Sequence, residues 1–154
     1  MQVNTKARYL IQELIRKNGW LEMPAEGTSM YPVIQEGDIC RFVSCETENL
    51  RKGDIILFHN STGKLVTHRY QKTDVNDSKR KYWFKGDTNL GFDEPVVEEN
   101  IVGKLVLIKR DKKVIKAASF LMRSWGKLIC RLPVLSGVLR SYLNKQAWKR
   151  MANF

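Results

Sequence analysis

Gly53-Asp54-Ile55-Ile56-Leu57-Phe58 and Lys64-Leu65-Val66-Thr67-His68-Arg69-Tyr70 flank the polar stretch Asn60-Ser61-Thr62-Gly63. Each flank is short and rich in β-branched and aromatic residues, and the stretch between them has the residue types of a tight reversal, so the segment reads as a hairpin. Working outward, comparable runs stand at Ile39–Val43, Lys81–Lys85 and Ile101–Ile108, each bounded by turn signals. Five such runs between Trp20 and about Lys109 argue for an antiparallel, partly closed β architecture.

The two ends of the chain follow a different period. Ala7, Leu10, Ile11, Leu14 and Ile15 recur at three- and four-residue intervals and Asn18-Gly19 supplies a stop, which predicts an amphipathic helix from about residue 4 to 18. After Lys113, Ile115, Ala118, Leu121, Met122, Trp125, Leu128 and Ile129 crowd one side of a second helical pattern, with Lys116, Arg123, Lys127 and Arg131 interleaved. Pro133 and Gly137 punctuate it, and a further helix is expected over about 138–151. The expected class is mainly β, a sheet or partly closed barrel at 20–113, preceded by a short helix at 1–19 and followed by a basic helical tail at 114–154.

A chain of 154 residues suits one domain with a sizeable core. Its net charge of +11 is unevenly placed: Lys109 to Phe154 holds twelve Lys or Arg against the single Asp111, and the rest of the chain is balanced. A localised basic segment is a footprint for an anionic partner, either phospholipid head groups or nucleic acid. The longest uncharged run in the tail, Leu132 to Leu139, falls far short of the ~20 apolar residues that cross a bilayer. Lys6, Arg8, Glu13, Arg16 and Lys17 interrupt the N-terminal apolar residues, so a secretory signal is not expected there either. Cys40, Cys45 and Cys130 show no C-x-x-C or zinc spacing, which suggests a reduced, cytoplasmic setting and no metal or other cofactor.

The chemistry centres on Gly27-Thr28-Ser29-Met30-Tyr31-Pro32, a glycine-bounded bend followed by the turn at Gly37-Asp38. A serine hydroxyl is a poor nucleophile at neutral pH and needs a base to take its proton and donors to hold an oxyanion. Of two histidines, His68 lies on a strand-like run ahead of Gly86-Asp87-Thr88-Asn89-Leu90-Gly91-Phe92-Asp93. Imidazole suits the base role because its ordinary pKa of ~6.5 is close to working pH, and a carboxylate on its other nitrogen fixes the tautomer. Ser29, His68 and one of Asp87 or Asp93 can fill the three roles. Taken singly, each is also an ordinary turn, core or surface residue.

The ordered set Gly27-Thr28-Ser29-Met30-Tyr31-Pro32, Gly37-Asp38, Gly53-Asp54-Ile55-Ile56-Leu57-Phe58, His68-Arg69, Lys85-Gly86-Asp87-Thr88-Asn89, Asp93 and Ile101-Val102-Gly103-Lys104 resembles the type I signal peptidase family. The resemblance covers about residues 20 to 108. Most bacterial members pair serine with lysine, whereas the endoplasmic reticulum, archaeal and some Gram-positive members have histidine instead, and His68-Arg69 is similar to that second type. It implies Ser29 as nucleophile, His68 as general base, Asp93 as the carboxylate on His68 and Asp87 as an aid to loop geometry. It also implies an antiparallel β fold that holds an extended precursor as an added strand and removes its leader or signal segment. Two departures stand out. Gly27 occupies the position where many relatives have a serine that contributes to the oxyanion hole, leaving Thr28 or backbone N–H groups to serve. The transmembrane anchor of the family is also missing, and a tail lying on an anionic membrane surface through residues 114–154, with Trp125, Tyr142, Trp148 and Phe154, is expected to replace it at the inner leaflet.

Two other classes compete. Self-cleaving repressors share the core fold, but they use lysine as base and carry an upstream DNA-binding domain, for which the roughly nineteen residues ahead of Trp20 are too few. A non-catalytic membrane- or nucleic-acid-binding protein on a peptidase-like scaffold would use the basic tail as its working surface. Retention of serine, histidine and aspartate together favours the enzyme.

Overall fold

Apolar residues at helical spacing form α1 (Thr5–Asn18), which ends where Gly19 turns left-handed at φ +79° and its N–H reaches the Ile15 carbonyl. The computed structural model describes residues 5–153, so Asn4, near the expected helix start, and Phe154, counted among the tail aromatics, lie outside the described residues. Eight strands follow: β1 (Trp20–Pro24), β2 (Ile39–Val43), β3 (Ile55–His59), β4 (Leu65–Asn76), β5 (Lys79–Lys85), β6 (Val96–Val97), β7 (Ile101–Arg110) and β8 (Lys113–Lys116). Two helices, α2 (Phe120–Arg131) and α3 (Val134–Ala152), complete the order. The strands form one antiparallel sheet in the order β1-β2-β7-β3-β4-β5-β6, with β8 also paired to β7, curled into a half-barrel.

The hairpin at residues 53–70 is β3 and β4, paired from Ile55↔Arg69 to His59↔Leu65. Its loop closes because the Asn60 side-chain carbonyl accepts from the Thr62 and Lys64 N–H groups, while Gly63 takes φ +78°. Successive residues of β3 face opposite sides of the sheet, and both sides are covered. Ile55 and Leu57 join a core with Met30, Phe42, Leu105, Ile108 and Ile15 of α1. Ile56 and Phe58 join the other with Tyr70, Tyr82, Phe84 and Val96, where the Phe58 and Phe84 rings stack 4.4 Å apart. Gly103 lets α1 approach: a Cβ there would stand 2.6 Å from the Val43 carbonyl oxygen and 2.7 Å from Ile15 Cδ1.

β1, β6 and β8 add to the five strand runs expected from sequence, and the bounds of several other elements differ. β4 continues to Asn76 and β5 begins at Lys79, because Asp77 and Ser78 adopt φ 48° and 62° and make a two-residue hairpin turn between them. This extension has Val75 as its one apolar residue and so carries no alternating apolar signal. Ile115, expected on a helix, lies on β8 opposite Ile108, and Asp111 at φ 51° turns the chain back for that pairing. α2 therefore starts at Phe120, and α3 starts at Val134 after Pro133, with Gly137 inside the helix rather than at its boundary.

Candidate active site

Ser29 lies on a loop, residues 25–38, whose ends meet at the base of the β1–β2 hairpin, where the Ala25 N–H donates to the Asp38 carbonyl and the Gly37 N–H to the Ala25 carbonyl. Met30, Val33 and Ile34 turn inward and are buried, so the loop is pinned by its own apolar residues. Asp38, also buried, accepts from the Gln35 N–H and receives both Nε and Nη2 of Arg110 at 2.8 and 2.7 Å. The same Arg110 donates to the Val33 carbonyl. The Asp38 carboxylate raises the Arg110 pKa in return.

His68 and Arg69 are neighbours on β4, so their side chains leave opposite faces of the sheet. His68 is 7 % exposed, and its Nε2 lies 3.0 Å from Ser29 Oγ while its Nδ1 lies 2.6 Å from Asp93 Oδ2. With the proton on Nδ1, the ring donates to Asp93 and accepts the Ser29 O–H at Nε2. Phe58 packs edge-on against the imidazole with ring centres 6.3 Å apart. The Asp93 N–H donates to the Phe84 carbonyl, which ties the carboxylate's backbone to β5, the strand beside β4.

On the other face Arg69 and Asp87 form a paired fork: Nε to Oδ1 at 2.8 Å and Nη2 to Oδ2 at 2.7 Å, with side chains only 2 % and 1 % exposed. Trp125 Nε1 of α2 adds a third donor to Asp87 at 2.9 Å, and Arg69 Nη1 donates to the Gly53 carbonyl. Thr88, next in the chain, carries that rigidity to the nucleophile, since its N–H and its hydroxyl both donate to the Ser29 carbonyl at 3.0 and 3.3 Å. Gly86 permits the approach, because a Cβ there would stand 2.9 Å from the Ser29 carbonyl oxygen.

Ser29, His68 and Asp93 thus come together, and Asp87 stands apart from the imidazole. Neither the Ser29 N–H nor the Thr28 hydroxyl has a hydrogen-bond partner among the described residues. The other histidine, His59, is fully buried. Burial also pushes the Cys40 thiol up to about 12 and raises those of Cys45 and Cys130, so no thiolate competes with the serine at neutral pH. Asp38 was visible in sequence only as a turn residue and Arg69 only as the companion of His68. Nothing in the sequence pattern singled out Arg110; Trp125, expected among the tail aromatics on a membrane surface, instead packs against the core and donates to Asp87, because its partner lies on a loop distant in the chain.

No protein-family model matches the chain, and no curated protein matches it.

Proposed function

We propose that the chain is a serine endopeptidase, and in particular a histidine-type relative of the type I signal peptidases that removes a leader or signal segment from a precursor peptide or protein. The observation that carries this reading is the continuous relay from Ser29 Oγ through His68 to Asp93, at 3.0 and 2.6 Å. As His68 Nε2 takes the hydroxyl proton, Ser29 Oγ adds to the scissile carbonyl, and Asp93 stabilises the imidazolium that forms. The oxyanion is met by the Ser29 N–H and the Thr28 hydroxyl in place of the serine hydroxyl that many relatives carry at the position of Gly27. The imidazolium then protonates the leaving amine. Water, activated by the same ring, releases the acyl group and restores the serine.

β1 supports extended-strand binding of the precursor. It ends the sheet order, pairing among the described residues only with β2, and it leads directly into the Ser29 loop. An added strand there gains main-chain hydrogen bonds while it passes the nucleophile. The enzyme works peripherally at the cytoplasmic face of a membrane, tethered by its basic tail. In support, no helix among the described residues is long and apolar enough to cross a membrane, and Leu132, Val134, Val138 and Trp148 of the tail are exposed beside its cations.

The test is covalent trapping of the full chain with a fluorophosphonate, read by intact mass. The wild type should gain one adduct and Ser29→Ala none, with cleavage of a precursor peptide lost in the same variant. Labelling that persists in Ser29→Ala would sink the reading.

A further inference from the structure

Four unpaired cations ring one cavity on the face of the sheet away from the His68 imidazole. The cavity holds about 550 Å³ between the turn ahead of β3 and the inner side of α2. Arg51 and Lys52 line it from the turn, and Arg123 and Lys127 from α2. Two further cations, Lys104 and Arg69, are already neutralised, by Asp54 at 2.8 Å and by Asp87. The side chains of the first four make no ion pair or hydrogen bond among the described residues, although the Arg51 backbone N–H donates to the Asp54 carboxylate, and the chain after Asp111 contains no acidic residue to offset them. Four like charges around one concavity make a positive potential that favours an anion there.

The floor is apolar. Ile55, Leu105 and Met122 supply it, and the close approach of Gly126 to the Gly53 backbone closes it. Cations around an apolar floor suit a phosphate carried on an organic group better than a bare ion. The first turn of α2 adds a second observation. Phe120 and Leu121 are 82 % and 79 % exposed, and they stand within one turn of Met122 and Arg123, which line the cavity. An aromatic and a leucine held in solvent beside unpaired cations match a bilayer interface, where apolar side chains enter the acyl boundary and cations meet phosphates.

We infer that this cavity is a headgroup site for an anionic phospholipid, with Arg51, Lys52, Arg123 and Lys127 on the phosphate and Phe120 and Leu121 in the lipid. The site deepens the tethering part of the proposed function and is independent of the serine relay. It lies on the face where Arg69 and Trp125 hold Asp87, so lipid engagement would bear on the element that braces the Ser29 loop.

The experiment compares two double variants of the full chain that each remove two charges from the acid-free tail. Arg123→Gln/Lys127→Gln empties the cavity of two ligands; Arg140→Gln/Lys149→Gln removes two exposed cations of α3 outside it. Both should retain the wild-type circular dichroism melt, since none of the four side chains has a hydrogen-bond or ion-pair partner among the described residues. In flotation with phosphatidylcholine vesicles containing phosphatidylglycerol, the cavity pair should lose at least tenfold more binding than the α3 pair. Equal losses mean diffuse attraction and overturn the site. The same holds if the wild type ignores anionic vesicles, if inorganic phosphate or glycerol 3-phosphate binds as tightly as the vesicles, or if a DNA oligonucleotide outcompetes them. Ser29→Ala should float like the wild type, so failure of the peptidase reading and failure of the lipid site give different results.

Discussion

Asp87 and Asp93 are the same residue type on one short loop, yet they meet opposite faces of β4 and do different work. Asp93 Oδ2 is 2.6 Å from the imidazole, and its side chain is part-exposed, so it holds the ring at little cost to the fold. Asp93→Asn should lower kcat by about 10⁴-fold, because an amide can donate to Nδ1 and hold the proton on Nε2; the melting temperature should stay close to wild type. Asp87→Asn should do the reverse: it leaves the buried Arg69 charge without its counter-ion and should cost about 3–5 kcal/mol in a denaturant titration. The opposite ranking of the two variants would exchange their roles. His59 supplies a pH dependence of its own. Burial lowers its pKa below the ordinary value near 6.5, the weaker effect of the Gly63 backbone opposing the shift. As pH falls through that ordinary value, the unfolded chain takes up a proton that the folded chain refuses, so stability is full above it and declines below it. Midpoints in urea measured from pH 7.5 to 5 should fall with pH in the wild type and fall less in His59→Leu.

At the scale of elements, the site depends on two loops meeting, and the contact is backbone against backbone. Thr88 donates to the Ser29 carbonyl, and Gly86 leaves the space for that carbonyl to sit close. Gly86→Ala puts a methyl group 2.9 Å from the Ser29 oxygen and 2.7 Å from Asn89 Nδ2. Asn89 can swing away, but the Ser29 backbone has to retreat. A displacement of about 1 Å at a nucleophile costs roughly 10²-fold in rate. The expected outcome is a fall of that order in kcat/KM for a soluble precursor peptide, with fluorophosphonate labelling slowed in parallel and the circular dichroism spectrum unchanged. An unchanged labelling rate would show that the loop contact does not set the position of the serine.

At the scale of the whole molecule, the C-terminal helices are part of the folded unit as well as carriers of charge. α2 contributes the Trp125 donor to Asp87 and buries Gly126 and Ile129. α3 is held more lightly, through the buried Ser136 hydroxyl accepting from Lys85 Nζ at 3.3 Å and through Tyr142 stacking on Tyr31 with ring centres 6.2 Å apart. Deleting residues 133–154 should therefore lower the melting temperature modestly and leave cleavage of a soluble peptide within a few-fold. Deleting residues 118–154 should abolish both the cooperative melt and the proposed activity, since it strips the third donor from Asp87 and uncovers the core against which Met122 and Trp125 pack. Equal behaviour of the two truncations would mean that α2 does not brace the site.

Residue order alone determined the class of this protein: period-two apolar runs with Asn and Gly turns specify antiparallel strands, period 3.6 specifies the flanking helices, and the acid-free tail is a matter of composition. Histidine is scarce, with two in the chain, but eight serines are present, so the grouping of Ser29, His68 and a carboxylate on the 86–93 loop is what the resemblance to type I signal peptidases implies, not what spacing alone dictates. Only the tertiary structure decided that β4 outlasts its apolar signal to Asn76, that Ile115 pairs with Ile108 instead of starting a helix, and which aspartate faces which neighbour on β4. The physical reason is common to all three. Local pattern sets which faces an element has, but the identity of what lies against each face comes from pairings between residues far apart in the chain. In a strand, a single-residue step carries a side chain from the imidazole's side of the sheet to the side where Arg69 lies buried.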